Sequence, residues 1–420
     1  MIENRKLIAM EQGMEIFNRL ASSLNVVIIS KIRGNLSEET VRQSLNLVQI
    51  RHPHLNLRII ETLNELYFTN EGIQKIPLHI IINSNQNHWE IVVDELNNQI
   101  DSNKYLLRVV LIKQSQQSNI SYLITTGHHA IIDAISGIYL HSEILQYCSH
   151  ILSNHKISNI SKLPILPSLE DLIPKIACLN PPNQQIHREV DTLKFEKYLS
   201  NEKRRCNLVH RNLGTDLTQK IIDSCKKENI TVHGALCAAM LLAVANKIKN
   251  KDKNLYLNCR SSVDLRKRLN PPVSDENIAM IVSALTSFHE IREDKPFWEL
   301  AREVTLQIKE KLTTSEIYNV VHSYKRGTEF LLANPHKVPF SVFITNIGRV
   351  RIPSDYGLLK LEKISYALSL NPMGSVFAAA VATFEEQMIL NFIYSEPTIS
   401  KNTMEILIEK VIFYLTKYCQ

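Results

Sequence analysis

The sequence predicts a mixed α/β fold in two halves of similar size. Three observations carry that prediction. Runs rich in β-branched residues alternate with segments of helical apolar spacing along the whole chain. A stretch from about residue 152 to 192 changes character, with Pro164, Pro167, Pro174, Pro181 and Pro182 among polar and short apolar pieces. The 420 residues are enough for two or three domains at ~100–200 residues each. The boundaries read as 1–175 for a first lobe, 176–195 for a crossover linker and 196–420 for a second lobe.

The elements follow in order. Leu24 to Ile32 is a β-rich run and reads as a strand. Ser37-Glu38-Glu39 supplies an N-cap and an acidic first turn, and Val41, Leu45 and Val48 recur behind it at helical spacing. That helix should stop before Pro53. Leu55 to Ile60 and Glu65 to Thr69 read as a strand pair, Leu78 to Ile82 as a further strand and His88 to Asn98 as a helix. Tyr105 to Lys113 and Ile120 to Thr126 are joined by a polar QSQQS turn. Asp133 is placed to cap a helix running to about Tyr147.

In the second half, Asp216 to Glu228 and Val232 to Ile248 read as helices, with strands at Leu255 to Cys259 and Ile281 to Glu290. Leu300, Val304, Ile308 and Leu312 fall on one helical face. Four strands follow, Val338 to Thr345, Ile364 to Leu370, Val376 to Phe384 and Met388 to Tyr394, then a helix from about Ser400 to Lys417.

Composition excludes several function classes. The chain has only 11 glycines, and no two lie closer than Gly348 and Gly357. G-x-G-x-x-G, the P-loop and the G-x-S-x-G elbow are therefore all absent. Net charge is +6, but the basic residues are dispersed. The densest patch, Lys247 to Lys253, reads as a helix end and a solvated loop, so a nucleic-acid partner is not expected. The seven cysteines are odd in number and form no C-x-x-C, which argues against a disulfide framework or a zinc ribbon and for reduced thiols. No apolar signal core follows Met1, and the longest apolar run, Gly234 to Ala245, is shorter than the ~20 residues a span needs. A soluble, cytoplasmic protein is the expectation.

The chemistry concentrates at Gly127-His128-His129-Ala-Ile-Ile-Asp133, between a strand and a helix. An imidazole with an ordinary pKa near ~6.5, held at the end of a rigid strand, suits general-base work. Three readings stand side by side: loop histidines with Asp133 as a plain helix cap, a metal site, and a catalytic base at His129. Adjacent strand residues point to opposite faces, and no H-x-x-x-H or cysteine partner lies near, so no metal is assigned. No nucleophilic serine or cysteine signature accompanies the histidines, which favours direct transfer over a covalent intermediate.

This stretch resembles the H-H-x-x-x-D-G motif of the chloramphenicol-acetyltransferase-like acyltransferases, which include condensation domains, plant alcohol acyltransferases and phthiocerol dimycocerosyl transferase-like enzymes. Further segments resemble the family in order: Arg51 to Arg58, Thr231 to Ala245, Val263 to Pro272, Ile344 to Val350 and Asp355-Tyr356-Gly357. Two departures stand out. Ala134 replaces the motif's glycine, and Leu358-Leu359 follows where plant members carry Trp-Gly.

The resemblance implies a two-lobed fold of mixed sheets with an active-site tunnel between the lobes. It makes His129 the general base and Asp133 an orienting residue paired with an arginine, Arg266 as first choice and Arg260 as second. His128 becomes a structural residue and Gly127 the site of a close backbone turn. Thr345 and Asn346, expected at a strand end, become oxyanion candidates, with a plain turn before Gly348 as the competing reading. Arg51, His52 and Arg58 are read as lobe structure, and Cys237 and Cys259 as core. The implied activity is acyl transfer from acyl-CoA or a carrier protein's phosphopantetheine arm to an alcohol, in lipid or natural-product biosynthesis, by a monomer with no tightly bound cofactor. Amide formation on carrier-bound substrates and a catalytically silent binding module are the alternatives.

Overall fold

The computed structural model describes residues 4–22, 24–82, 87–113, 115, 119–155, 157, 159–174, 189–248 and 254–420. The chain opens with β1 (Arg5–Lys6), α1 (Ala9–Ala21), β2 (Asn25–Arg33), α2 (Glu38–Arg51), β3 (Arg58–Thr62), β4 (Glu65–Thr69) and β5 (Leu78–Ile82). Next come α3 (His88–Asn97), β6 (Leu107–Lys113), β7 (Ile120–His128), α4 (Ala134–Leu152) and the short α5 (Leu169–Leu172). The second half contributes β8 (Arg205–Asn212), α6 (Gly214–Lys227), α7 (Val232–Ile248), β9 (Leu255–Asp264), β10 (Val282–Ile291), α8 (Phe297–Lys311) and α9 (Glu316–Ala333). It ends with β11 (Val342–Arg349), β12 (Lys360–Leu368), β13 (Phe377–Phe384), β14 (Gln387–Glu396) and α10 (Lys401–Tyr418).

The chain forms two compact units, and the division is discontinuous. The first takes Met1–Leu172, Arg266–Ile281 and Arg349–Ser369; the second takes Ile173–Leu265, Val282–Gly348 and Leu370–Gln420. The sequence suggested unbroken lobes at 1–175 and 196–420. The chain instead returns to its first unit twice, at Arg266–Ile281 and at Arg349–Ser369. Most of the expected 176–195 linker and most of the 114–118 turn lie outside the described residues.

The first unit is built on a five-stranded sheet of order β12-β2-β7-β6-β5, antiparallel except between β6 and β5. Strand β2 is buried almost throughout because helices cover both faces. Adjacent residues of β7 reveal this. The Thr125 hydroxyl meets His141 of α4, and the Thr126 hydroxyl meets Glu95 of α3, on the opposite side. A small sheet of order β1-β4-β3 lies in the same unit. Its β3 begins at Arg58, later than expected, because Pro53–Asn56 forms a 3-10 turn first.

The second unit carries a six-stranded sheet of order β10-β9-β11-β13-β14-β8. Its core gathers the alanine-rich β13 and α7, with α8 and α10 packed on α7. Gly234 of α7 permits that crossing: a Cβ there would stand 2.2 Å from Thr305 Oγ1 and 2.8 Å from the Ala301 carbonyl oxygen of α8. Each large aliphatic side chain fully buried here contributes roughly 1.5–3 kcal/mol over exposure. Among the described residues no single helix is long and apolar enough to cross a membrane.

Candidate active site

Strand β7 ends at His128, and the chain turns through residues 129–132 before Asp133 caps α4. The turn is made by the Ile131 N–H, which donates to the His128 carbonyl at 3.0 Å. Gly127 makes room for it. A Cβ at that position would lie 2.4 Å from Cγ2 of the buried Ile132.

His129 is half-buried just beyond the strand. Its Nδ1 lies 2.8 Å from the Ile132 carbonyl oxygen. A carbonyl only accepts, so Nδ1 carries the proton and Nε2 keeps its lone pair. Burial holds the pKa below the ordinary imidazole value, against the opposing pull of the Ile132 carbonyl and the Asp133 charge. The ring is thus a neutral base with its lone pair on one defined atom.

Asp133 is fully engaged. Its Oδ1 accepts from the Ser136 N–H at 3.0 Å and from Nη2 of Arg266 at 3.0 Å. Its Oδ2 accepts from Nη1 of Arg266 at 2.8 Å and from the Ile281 N–H at 3.0 Å. Burial alone would raise this carboxyl's pKa. The Arg266 charge and the donated hydrogen bonds outweigh that and hold it below the usual carboxylate range. Both oxygens are thus engaged, and they tie the start of α4 to Arg266 and to the Ile281 backbone. Arg266, itself fully buried, also donates to the Ala279 carbonyl.

Arg266 is therefore the arginine that meets Asp133. Arg260 lies in β9 of the second unit, where it donates to Thr286 Oγ1 at 2.9 Å and lies over the Phe340 ring. Burial there pushes its pKa down to about 10.

His128 faces the other side of the sheet. Its Nε2 lies 2.8 Å from Glu15 Oε2 of α1, and its Nδ1 accepts the Ala130 N–H at 3.1 Å. Nothing local in the sequence marked Glu15. Its only trace is a carboxylate interrupting the apolar Met10, Met14 and Phe17 stripe of a helix that the pattern reading left unassigned. The Ile132 carbonyl and the Ile281 N–H were equally invisible, being backbone groups.

Thr345 and Asn346 lie inside β11, which runs on to Arg349, and not at a strand end as expected. Thr345 is buried. Asn346 Oδ1 accepts the Gly348 N–H at 2.8 Å within that strand. In the first unit Arg51 and His52 both meet Glu143 of α4, and Arg51 also meets Glu276 at 2.8 Å. Arg58 donates to the Glu71 carbonyl. The Tyr356 hydroxyl donates to Ser142 of α4 at 2.8 Å, so the Asp355-Tyr356-Gly357 segment braces that helix. Cys237 and Cys259 belong to the second unit's core. Among the described residues no group of three or more His, Cys, Asp or Glu is placed to hold a metal ion.

Residues 5–164 match the condensation-domain family model, and residues 202–396 match the model of the phthiocerol/phthiodiolone dimycocerosyl transferase C-terminus. Solved structures share the fold over almost the whole length. TRI3 trichothecene 15-O-acetyltransferase from Fusarium sporotrichioides is 15% identical with a TM-score of 0.77, covering 99% of this chain and 95% of that one. Polyketide synthase associated protein 5 from Mycobacterium tuberculosis is 15% identical with a TM-score of 0.68, covering 99% and 100%. The condensation domain of the monacolin K polyketide synthase MokA is 13% identical with a TM-score of 0.71, covering 100% and 98%. No curated protein matches the chain at a significant level.

Proposed function

The chain belongs to the chloramphenicol-acetyltransferase-like superfamily of acyltransferases and condensation domains, and from that premise we propose that it moves an acyl group from a thioester to an alcohol. The observation that carries the reading is the bond from His129 Nδ1–H to the Ile132 carbonyl, which leaves Nε2 as an available base. Nε2 takes the hydroxyl proton as the acceptor oxygen attacks the thioester carbonyl carbon. The tetrahedral intermediate then collapses, the C–S bond breaks, and His129 returns the proton to the leaving thiolate. Ester and free thiol are the products.

Asp133 and Arg266 keep the loop in register without touching substrate, and Thr345 and Asn346 both stay oxyanion candidates, the Thr345 hydroxyl and the Asn346 Nδ2 being their side-chain donors. A preorganised donor at that position is worth ~2.7–4 kcal/mol. Support for oxygen as acceptor comes from the transferase match over residues 202–396 and from the fold shared with an O-acetyltransferase. The setting is lipid or natural-product biosynthesis. The donor is acyl-CoA or an acyl group on a carrier protein.

A second reading, amide formation on carrier-bound substrates, is favoured by the condensation-domain match over residues 5–164. One experiment separates the two. Acyl groups of increasing length are presented both as CoA thioesters and on a phosphopantetheinylated carrier protein, with alcohols or amines as acceptors, and products are identified by mass. Ester formation supports the first reading and amide formation the second. Neither product from any pair would overturn both and leave a binding module.

A further inference from the structure

Glu15 has no exposed surface, yet it sits among apolar neighbours on α1. Its carboxylate collects Arg19 Nε at 2.6 Å, the Ser102 hydroxyl at 2.6 Å, Asn18 Nδ2 at 3.4 Å and His128 Nε2 at 2.8 Å. Burying a carboxylate costs several kcal/mol unless it is this well satisfied. A carboxylate that is only filling space is poorly explained by such a set.

The geometry beyond His128 supplies a purpose. The Ala130 N–H donates to His128 Nδ1 at 3.1 Å, so Nδ1 must be the unprotonated nitrogen. Nε2 therefore carries the proton and donates it to Glu15. Ala130 directly follows His129, and the same turn is closed by the Ile131 N–H on the His128 carbonyl. The two adjacent histidines thus hold opposite tautomers, His128 protonated at Nε2 and His129 at Nδ1.

We propose that Glu15 is a positioning residue for acyl transfer, selecting the His128 tautomer that grips the Ala130 N–H and so fixing the turn that presents His129 Nε2. The inference rests on the reading of His129 as the base. Replacing the carboxylate by a carboxamide offers Nε2 a donor as well as an acceptor. The opposite tautomer then becomes accessible, Nδ1 gains a proton facing the Ala130 N–H, and the turn loosens. A displacement of about 1 Å in a base costs on the order of 100-fold in rate.

The test uses the full-length protein labelled with 15N-histidine, in wild-type, Glu15→Gln and Glu15→Asp forms. Long-range imidazole 1H–15N correlations report the tautomers, with His128 assigned by difference against His128→Gln. The wild type is expected to show His128 protonated at Nε2. Glu15→Gln is expected to populate the Nδ1–H form and to lose about 100-fold in kcat with little change in KM, the pattern of a misplaced base and not of a lost binding contact. Glu15→Asp, which keeps the charge, should retain the wild-type tautomer and recover most of kcat.

An Nδ1–H tautomer at His128 in the wild type would overturn the proposal without any variant having to fold. So would a Glu15→Gln protein with the switched tautomer and undiminished kcat. If the wild type transferred no acyl group from any donor, the functional reading would fail while the spectra still decided the tautomer assignment.

Discussion

Arg266 grips Asp133 through both oxygens, Nη1 to Oδ2 at 2.8 Å and Nη2 to Oδ1 at 3.0 Å, with both residues buried. The two residues are 133 positions apart in sequence but lie in the same compact unit, because the chain returns to it at Arg266–Ile281. The pair anchors that returning segment against the N-terminus of the helix that follows His129.

Breaking one side of this pair leaves the other as an uncompensated buried charge. Asp133→Asn is expected to cost ~3–5 kcal/mol of stability. Arg266→Lys should recover little, since an ammonium cannot form the two-pronged contact. The double variant Asp133→Asn/Arg266→Met should lose less than the sum of Asp133→Asn and Arg266→Met. Urea unfolding of all four proteins measures the coupling. The depressed Asp133 pKa gives the pH dependence its sign. Its contribution is complete above the unfolded carboxylate value near ~4 and is lost as pH falls through the lower folded value.

The rate should follow the other titration. Burial lowers the His129 pKa, so the neutral base persists to more acidic pH than a free imidazole would allow. The acid limb of kcat/KM is expected below ~6.5, with a plateau above it. A limb centred above that value would place the titrating group elsewhere.

Gly127 couples the strand to the base through Ile132. A methyl group there meets Ile132 Cγ2 at 2.4 Å, and the carbonyl of that same residue holds the His129 ring. Gly127→Ala is expected to lose ~1–3 kcal/mol of stability through overpacking. It should also reduce kcat. Adding Ile132→Ala removes the clashing atom while keeping the carbonyl. The double variant should then be less impaired than the two single losses combined, as read by unfolding and by initial rates.

Gly234→Ala provides the contrast within the second unit. Its new Cβ would approach the α8 backbone at the Ala301 carbonyl, which cannot swing aside as a side chain can. A loss of ~1–3 kcal/mol is expected, and Thr305→Ala should relieve only part of it. Thermal unfolding compares the three proteins.

The thiols should stay silent. The six described cysteines are buried thiols outside any disulfide, and burial pushes Cys148, Cys206 and Cys225 up to about 12. A thiol protonated at neutral pH is a poor nucleophile. Peptide mapping after iodoacetamide treatment of the native protein should find these six unmodified. Labelling of any of them in step with inactivation would point to a covalent acyl intermediate instead.

Much of the first unit was legible because local chemistry writes it. Ser37 and Asp133 cap α2 and α4 through their own side chains, and β2 and β7 are β-branched runs. Helix α1 was not legible. Its N-cap residue, Ile8, makes no side-chain cap bond, and buried Glu11, Gly13 and Glu15 break its apolar pattern. Strand β8 and helix α9 were missed for a related reason: polar residues intersperse both. His129, Asp133 and Arg266 could be named from the motif and the family resemblance. Glu15 and the backbone groups around the loop could not, since tertiary contact alone brings them there.

Direct transfer requires His129 Nε2 to take the proton of the acceptor hydroxyl. Alcohol-dependent thiol release by the wild type and by His129→Ala, both shown to be folded, tests it most directly. The expected result is ester formation with the wild type and loss of the alcohol-dependent rate in the variant. A folded His129→Ala protein that releases thiol and forms ester at the wild-type rate would contradict it.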